Sequence, residues 1–182
     1  MPRSLAASTL STRDAIVQSA CELAKDEGVF GISVDRVIER AGISKGGFFH
    51  HFPSKQALVL AVVAAELDRF EALVARYRGA GGSFADALVR ALLDFLQSNA
   101  TMMASVNAAL SFGGEVRELV VARRERWRAE LRKEVKPAAR ADLLGHAVDG
   151  VIFSCSMRPG SVSRADLAAI RRALQFALGA AE

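Results

Sequence analysis

The sequence predicts an all-α fold, on three observations. Ala, Leu, Arg and Val dominate the composition, and only 4 of the 182 residues are Pro, which favours helix over strand. Cap and stop residues (Ser11, Gly28, Ser33, Gly42, Ser44, Pro53, Ser54) recur at the spacing of short helices. No stretch alternates polar and apolar residues with β-branched enrichment, so no strand is expected. With 51% hydrophobic and 24% charged residues, the chain is too apolar for disorder and long enough to bury a sizeable core.

Each element follows from its punctuation. A first helix spans about Thr12 to Asp26, capped by Ser11 or Thr12 and ended by Gly28. Its apolar stripe is Ile16, Ala20, Leu23 and Ala24. Ser33 caps a short second helix, Val34 to about Arg40, with Val34, Val37 and Ile38 pointing inward. Ala41-Gly42-Ile43 is a tight turn, where Gly42 can take a left-handed conformation at no steric cost. Ser44 caps a third helix, Lys45 to about His51, which Pro53 stops. Ser54 caps a long fourth helix, Lys55 to about Arg78, and Gly79-Ala80-Gly81-Gly82 breaks the chain. Further helices are expected over Phe84 to Ser98, Thr101 to Phe112, Glu115 to Lys136, Pro137 to Met157 and Arg164 to Ala180. Ser83 and Ser163 serve as caps there, and Gly113-Gly114 and Pro159-Gly160 as breaks. The expectation is about nine helices, divided into a flexible tail (residues 1–11), a small unit (12–54) and a larger one (55–182).

The net charge of +4 admits an anionic partner without demanding one. Its distribution is uneven. Residues 1–55 carry seven Lys and Arg against six acids, whereas residues 117–140 carry nine against four. The late excess is expected to be a solvated helix face. Two cysteines, Cys21 and Cys155, are too few for a disulfide scaffold or a Cys-based zinc cluster, and read as small buried hydrophobes. No metal or cofactor is expected: His50 and His51 are adjacent, and neighbouring helical residues point about 100° apart. The longest wholly apolar run, Ala57 to Ala65, falls short of the ~18 residues that span a bilayer, and the N-terminus lacks a secretory apolar core. A soluble, cytoplasmic protein is expected. No nucleophile elbow, phosphate-binding glycine loop or metal-ligand helix motif occurs, so catalysis is not expected.

The second and third helices, joined by the Gly42 turn, have the spacing of a DNA-binding helix-turn-helix. The run Gly42-Ile43-Ser44-Lys45-Gly46-Gly47-Phe48-Phe49-His50-His51-Phe52-Pro53-Ser54-Lys55-Gln56-Ala57-Leu58, with its lead-in Ile16…Ala20…Leu23…Gly28…Ser33-Val34…Val37, strongly resembles the TetR-type transcriptional regulators. The resemblance covers about residues 12–62. It implies a homodimer with two N-terminal units on a double-stranded DNA operator, usually a repressor released by a small-molecule effector. Carried over by position, Lys45 contacts DNA, with Ser44 at the tip of its helix and the Gly46 and Gly47 backbone against phosphates. Phe49 and His50 face the groove, while His51 and Lys55 touch the DNA backbone. Thr12, Arg13 and Ser33 match helix starts that approach flanking phosphates. Phe48 and Phe52 read as core. Two positions depart from the family: Phe49 stands where Tyr is common, losing a hydroxyl for phosphate, and Ile38 stands where Ala is common, so that Gly46 or Gly47 is expected to make room for it.

The segments 88–96, 102–112 and 148–153 are unusually apolar. The resemblance implies that Phe70, Leu92, Phe95, Leu96, Met103, Val106, Leu110, Trp127 and Phe153 line an effector pocket. Plain core packing is the competing reading for each. His146 and Asp149, three apart on one helix face, are expected to hydrogen bond, either orienting a ligand or as a polar pair near a dimer seam. Leu167, Ile170, Leu174 and Ala177 repeat at heptad spacing, and Leu144, Val148, Val151 and Cys155 make a matching stripe. Two such helices per chain predict a four-helix bundle across a two-fold axis, with intramolecular burial as the alternative. A helical ligand-binding or membrane-surface protein without sequence-specific DNA binding is the rival to a regulator.

Overall fold

The computed structural model describes residues 11–79, 81–157 and 162–179, without the side chains of residues 99–104. Among these are eight α-helices: α1 (Thr12–Glu27), α2 (Val34–Ala41), α3 (Lys45–His51), α4 (Lys55–Gly79), α5 (Phe84–Ala109), α6 (Gly114–Glu134), α7 (Ala138–Ser156) and α8 (Arg164–Leu178). Short 3-10 turns occupy Val29–Gly31 and Leu110–Phe112, and no strand occurs among the described residues. The all-α expectation therefore holds.

The serine caps act largely as their positions suggest. The side-chain oxygens of Ser11, Ser44 and Ser83 accept the backbone N–H groups of Asp14, Gly47 and Asp86. Ser54 Oγ accepts from Ala57 N–H at 3.1 Å, and Ser163 forms a reciprocal capping box with Asp166. Each satisfies an otherwise orphaned donor, typically contributing about 1 kcal/mol. Ser33 differs: it precedes α2 in extended conformation with no side-chain cap bond. Gly42 is left-handed at φ 65° and ψ 35°, and its N–H returns to the Glu39 and Ile38 carbonyls.

One expected break is absent. The helices expected over Phe84 to Ser98 and Thr101 to Phe112 are a single α5, which tightens to 3-10 only at Leu110. Ser98 and Thr101 are indifferent helix formers, but with neither Gly nor Pro nearby nothing forbids continuation. Ser98 Oγ accommodates itself by donating to the Asp94 carbonyl one turn back, at 2.8 Å.

Two buried cores divide the molecule. The first joins α1, Val37, Phe48, Phe52 and the α4 residues up to Leu67 to Val106 and Ala109 of α5 and Val116 and Val120 of α6. The second begins at Phe70 of α4 and takes in the N-terminal part of α5, Leu131, the inner stripe of α7 and Leu174 and Ala177 of α8. The packing therefore divides within α4, between Leu67 and Phe70, rather than at residue 54. Side chains knit the junction. Ser105 Oγ accepts the buried N–H of Val29 at 3.1 Å, and the Phe30 and Phe112 rings lie 5.1 Å apart.

The basic stretch is only partly a solvated face: Arg117, Arg126, Arg132, Lys133, Lys136 and Arg140 are exposed, whereas Arg123, Arg124 and Arg128 are half-buried. Arg123 is paired with Glu71 and, at 2.6 Å, with Asp68, both on α4. Arg126 also reaches Glu71, while Arg124 and Arg128 both reach Asp149 on α7, at 3.3 and 2.7 Å. Arg132 pairs with Asp142 at 2.7 Å. These guanidiniums clamp α6 between α4 and α7. Sequence-local counting missed this because most of the partner carboxylates lie outside residues 117–140.

A Cβ built on Gly42 meets nothing within 4 Å, so only the backbone conformation resists substitution there. Gly42→Ala is expected to destabilise the fold by about 1 kcal/mol. Denaturant unfolding followed by circular dichroism checks this; an unchanged midpoint would contradict it.

Candidate nucleic-acid interface and ligand cavity

The third helix is held by what it buries. Phe48 is fully buried and Phe52 is 2% exposed, with their ring centroids 6.0 Å apart. Burying two rings on one side turns the opposite side of this seven-residue helix outward. Ser44, Lys45, Gly46, Phe49 and His50 are exposed there, and Gly47 and His51 are half-buried. Phe49 packs edge-on against Phe48 at 5.2 Å yet remains 45% exposed. A Cβ on Gly46 or Gly47 would meet Ser44 Oγ and not Ile38. These glycines therefore do not make room for Ile38, as expected from sequence; they leave the backbone at the start of α3 open to a close neighbour.

Charge around this surface is sorted by pairing. Arg36 binds Glu27 through two bonds of 2.5 and 2.6 Å, and Arg40 reaches Glu22 at 3.2 Å, so both arginines join α2 to α1. The Arg36 guanidinium holds the Glu27 carboxyl below its usual range. Lys45, at the start of α3, and Arg13, at the start of α1, have no carboxylate partner among the described residues. The Arg13 guanidinium lies 5.1 Å from the Phe52 ring centre, with Thr12 exposed beside it. Ser33 is half-buried. Lys55 is half-buried; its Nζ donates to the Phe30 carbonyl at 3.3 Å and lies 5.8 Å from the Phe112 ring centre.

Between the two cores lies a cavity of about 30 Å³, lined by Glu66, Leu67, Phe70, Phe95, Val106, Val120, Arg124, Trp127 and Ile152. Phe70, Phe95, Val106 and Trp127 were legible from sequence. Glu66, Val120, Arg124 and Ile152 were not; a charge placed directly after the apolar run Ala57 to Ala65 was the available signal for the first. Leu92 and Leu96 are fully buried core residues outside the lining. Leu110 packs on the first core. The Met103 side chain, like that of Met102, lies outside the described residues. Phe153 is 61% exposed on the outer face of α7, so it is not a cavity residue. His146 and Asp149 do not bond each other; Arg128 Nη2 reaches both, at 3.3 Å to His146 Nδ1 and 2.7 Å to Asp149 Oδ2. Asp149 lines a small crevice beside the cavity, and His146 is exposed.

The expected dimer stripes turn inward. Leu144, Val148, Leu174 and Ala177 are buried in the chain's own second core, and Val151, Cys155, Leu167 and Ile170 pack partly against it. The outward faces of α7 and α8 carry other large apolar residues: Leu143, Phe153, Met157 and Phe176, exposed by 57, 61, 68 and 84%. Both helices thus have two apolar faces, and periodicity alone could not tell which one the chain keeps for itself.

The profile of bacterial regulatory proteins, tetR family, matches residues 16–62, and the tetracyclin repressor-like C-terminal domain matches residues 82–178. The transcriptional regulator SrpR of Pseudomonas putida is 31% identical over 98 residues, covering 54% of this chain and 46% of SrpR. UidR of Escherichia coli K12 is 31% identical over 84 residues, 45% of this chain and 41% of UidR. The chain thus spans about half the length of these relatives. Among solved structures, a transcriptional regulator from Rhodococcus sp. Rha1 superposes with a TM-score of 0.73 at 24% identity, covering 93% of this chain and 95% of that one. The multidrug binding protein EbrR, complexed with malachite green, superposes at 0.71 with 20% identity, covering 91% and 96%. With the helix-turn-helix and the helical unit behind it each matched by its own profile, the chain belongs to the tetR family of bacterial regulatory proteins.

Proposed function

We propose that the protein is a DNA-binding transcriptional repressor, acting as a homodimer on a palindromic operator and released by a small, largely apolar ligand. The single observation that carries this is the outward tip of α3, where capped, glycine-rich backbone, Lys45, Phe49 and His50 are presented on a helix anchored by Phe48 and Phe52. Serine Oγ, exposed N–H groups and an unpaired lysine are groups that hold phosphates, while a ring and an imidazole can read base edges. The pairing of Arg36 and Arg40 with α1 acids leaves Lys45 and Arg13 as the placed cations, so affinity rests on few contacts doubled by dimerisation. The ligand-complexed EbrR neighbour supports a ligand-responsive helical unit.

The dimer is assigned to the outer faces of α7 and α8, where four large apolar residues face solvent in a single chain. Its partners would then be operator DNA, an effector and a second copy. No helix among the described residues is long and apolar enough to cross a membrane. Most α6 cations (Arg123, Arg124, Arg126, Arg128, Arg132 and Lys133) are paired with carboxylates, which disfavours the membrane-surface alternative. We read the protein as non-catalytic and cytoplasmic, in keeping with its regulator relatives.

Selection from a random duplex pool with the full chain is expected to enrich a palindromic site; failure to enrich any sequence would count against the regulator reading. On that duplex, Lys45→Ala is expected to weaken binding and reduce the salt slope by about 1. The double change Leu143→Asp and Phe176→Asp is expected to give a monomer by analytical ultracentrifugation at micromolar concentration and to lower operator affinity at least tenfold. A monomeric unmodified chain under the same conditions would contradict the dimer.

A further inference from the structure

The cavity between the cores contains a polar atom that apolar packing does not explain. Glu66, on α4, is 1% exposed. Its Oε1 accepts from Arg69 Nη1 at 2.7 Å, but its Oε2 is buried without a hydrogen-bond partner. The Cys21 thiol faces the same carboxyl from α1, and its pKa is pushed up to about 12, by burial first and by the Glu66 charge second. The thiol is the group on α1 placed to donate to this carboxyl, and a thiol is only a weak donor, so it satisfies a carboxylate oxygen poorly. Burial raises the Glu66 carboxyl despite the neighbouring Arg69 and Lys25 charges. An unmatched buried carboxylate oxygen is costly, more so than a neutral one.

The surroundings are aromatic. The Phe70 ring lies 5.6 Å from Phe95 and 5.1 Å from Trp127. The other charged lining residue, Arg124, is already engaged: its Nε reaches Asp149 at 3.3 Å and its Nη2 donates to Asn107 Oδ1 at 3.3 Å. What the lining leaves unanswered is therefore a carboxylate oxygen of a residue that lines the cavity together with three aromatic side chains.

We propose that this cavity binds a compact aromatic molecule carrying a protonated amine, the ammonium donating to Glu66 Oε2 and the hydrocarbon packing on Phe70, Phe95 and Trp127. The proposal rests on the reading of this cavity as the effector site. An ammonium satisfies Oε2 with a charge-assisted bond, and the ring faces attract the same cation. As it stands, about 30 Å³ admits the head group only. Trp127 also walls an outer groove of about 410 Å³ between α4 and α6. Its indole, donating to Glu71 Oε1 at 3.0 Å, lines both spaces, so the rest of the molecule is accommodated only if that indole swings outward.

Trp127 is the single tryptophan of the chain, so its fluorescence reports on the cavity directly. The full chain at neutral pH is titrated with benzylamine and, separately, with benzyl alcohol, its uncharged near-isostere. A saturable change with benzylamine Kd at least tenfold below that of the alcohol is expected. Glu66→Gln keeps the shape and the acceptor for Arg69, and is expected to reduce that preference below twofold. Equal or tighter alcohol binding by the unmodified chain would overturn the amine assignment while leaving the cavity as a ligand site. No saturable response to either probe would overturn both. A tenfold preference that survives Glu66→Gln would overturn the role of Glu66. The comparison of the two probes on the unmodified chain needs no variant, and decides the matter even if Glu66→Gln fails to fold.

Discussion

Burial of a single helix, α4, in two different hydrophobic cores is the constraint on which the rest of the structure depends. Leu58, Val59, Val62, Val63 and Leu67 belong to the core that seats the helix-turn-helix, and Phe70 and Val74 belong to the core of the helical unit behind it. A continuous hydrogen-bonded helix is stiff along its axis, so neither core can shift relative to the other without moving α4 or breaking its packing. The cavity lies at the crossover, lined by Glu66, Leu67 and Phe70, which sit within little more than one turn of α4. Whatever occupies it acts on the one element that both halves share.

A second connection runs through α5. Ser105 bonds the Val29 backbone of the DNA-binding half, and Val106, the next residue, lines the cavity. Two adjacent residues of one helical turn therefore touch the helix-turn-helix unit and the cavity. Together with Glu66, whose carboxyl faces Cys21 of α1, they form a contiguous set of contacts from cavity to α1. Such a set permits coupling; the free energy of coupling is set by how differently a ligand fits the two arrangements of α4 and α5.

The electrostatics of the molecule divide in the same way. On the helix-turn-helix, arginines are spent on α1 acids and leave Lys45 at the tip of α3. On α6, arginines are spent on α4 and α7 acids. Half-buried guanidiniums such as Arg123, Arg124 and Arg128 make better clamps than exposed lysines, because the planar fork bonds two carboxylates at once and solvent screens the pair less. A pI of about 9.5 thus says little about where DNA meets the protein. The pairing pattern says much more.

The sequence by itself determined what depends on near neighbours along the chain. Serine caps, the left-handed Gly42 and the stop at Pro53 act within one helical turn, so the boundaries of α1 to α4 and the motif Ser44-Lys45-Gly46-Gly47 were legible, and with them the family. Four cavity residues could also be named. What only the tertiary structure decided depends on distant partners. The role of the α6 arginines needed carboxylates 50 residues away, such as Glu71 and Asp68. The turning of Leu144 and Leu174 inward, and of Leu143, Phe153 and Phe176 outward, needed the neighbours that choose between two apolar faces. Glu66 was visible as a charge at the end of an apolar run, but that its second oxygen lacks a partner is a property of the folded cavity, because a hydrogen bond is absent only once every group able to make it has been placed.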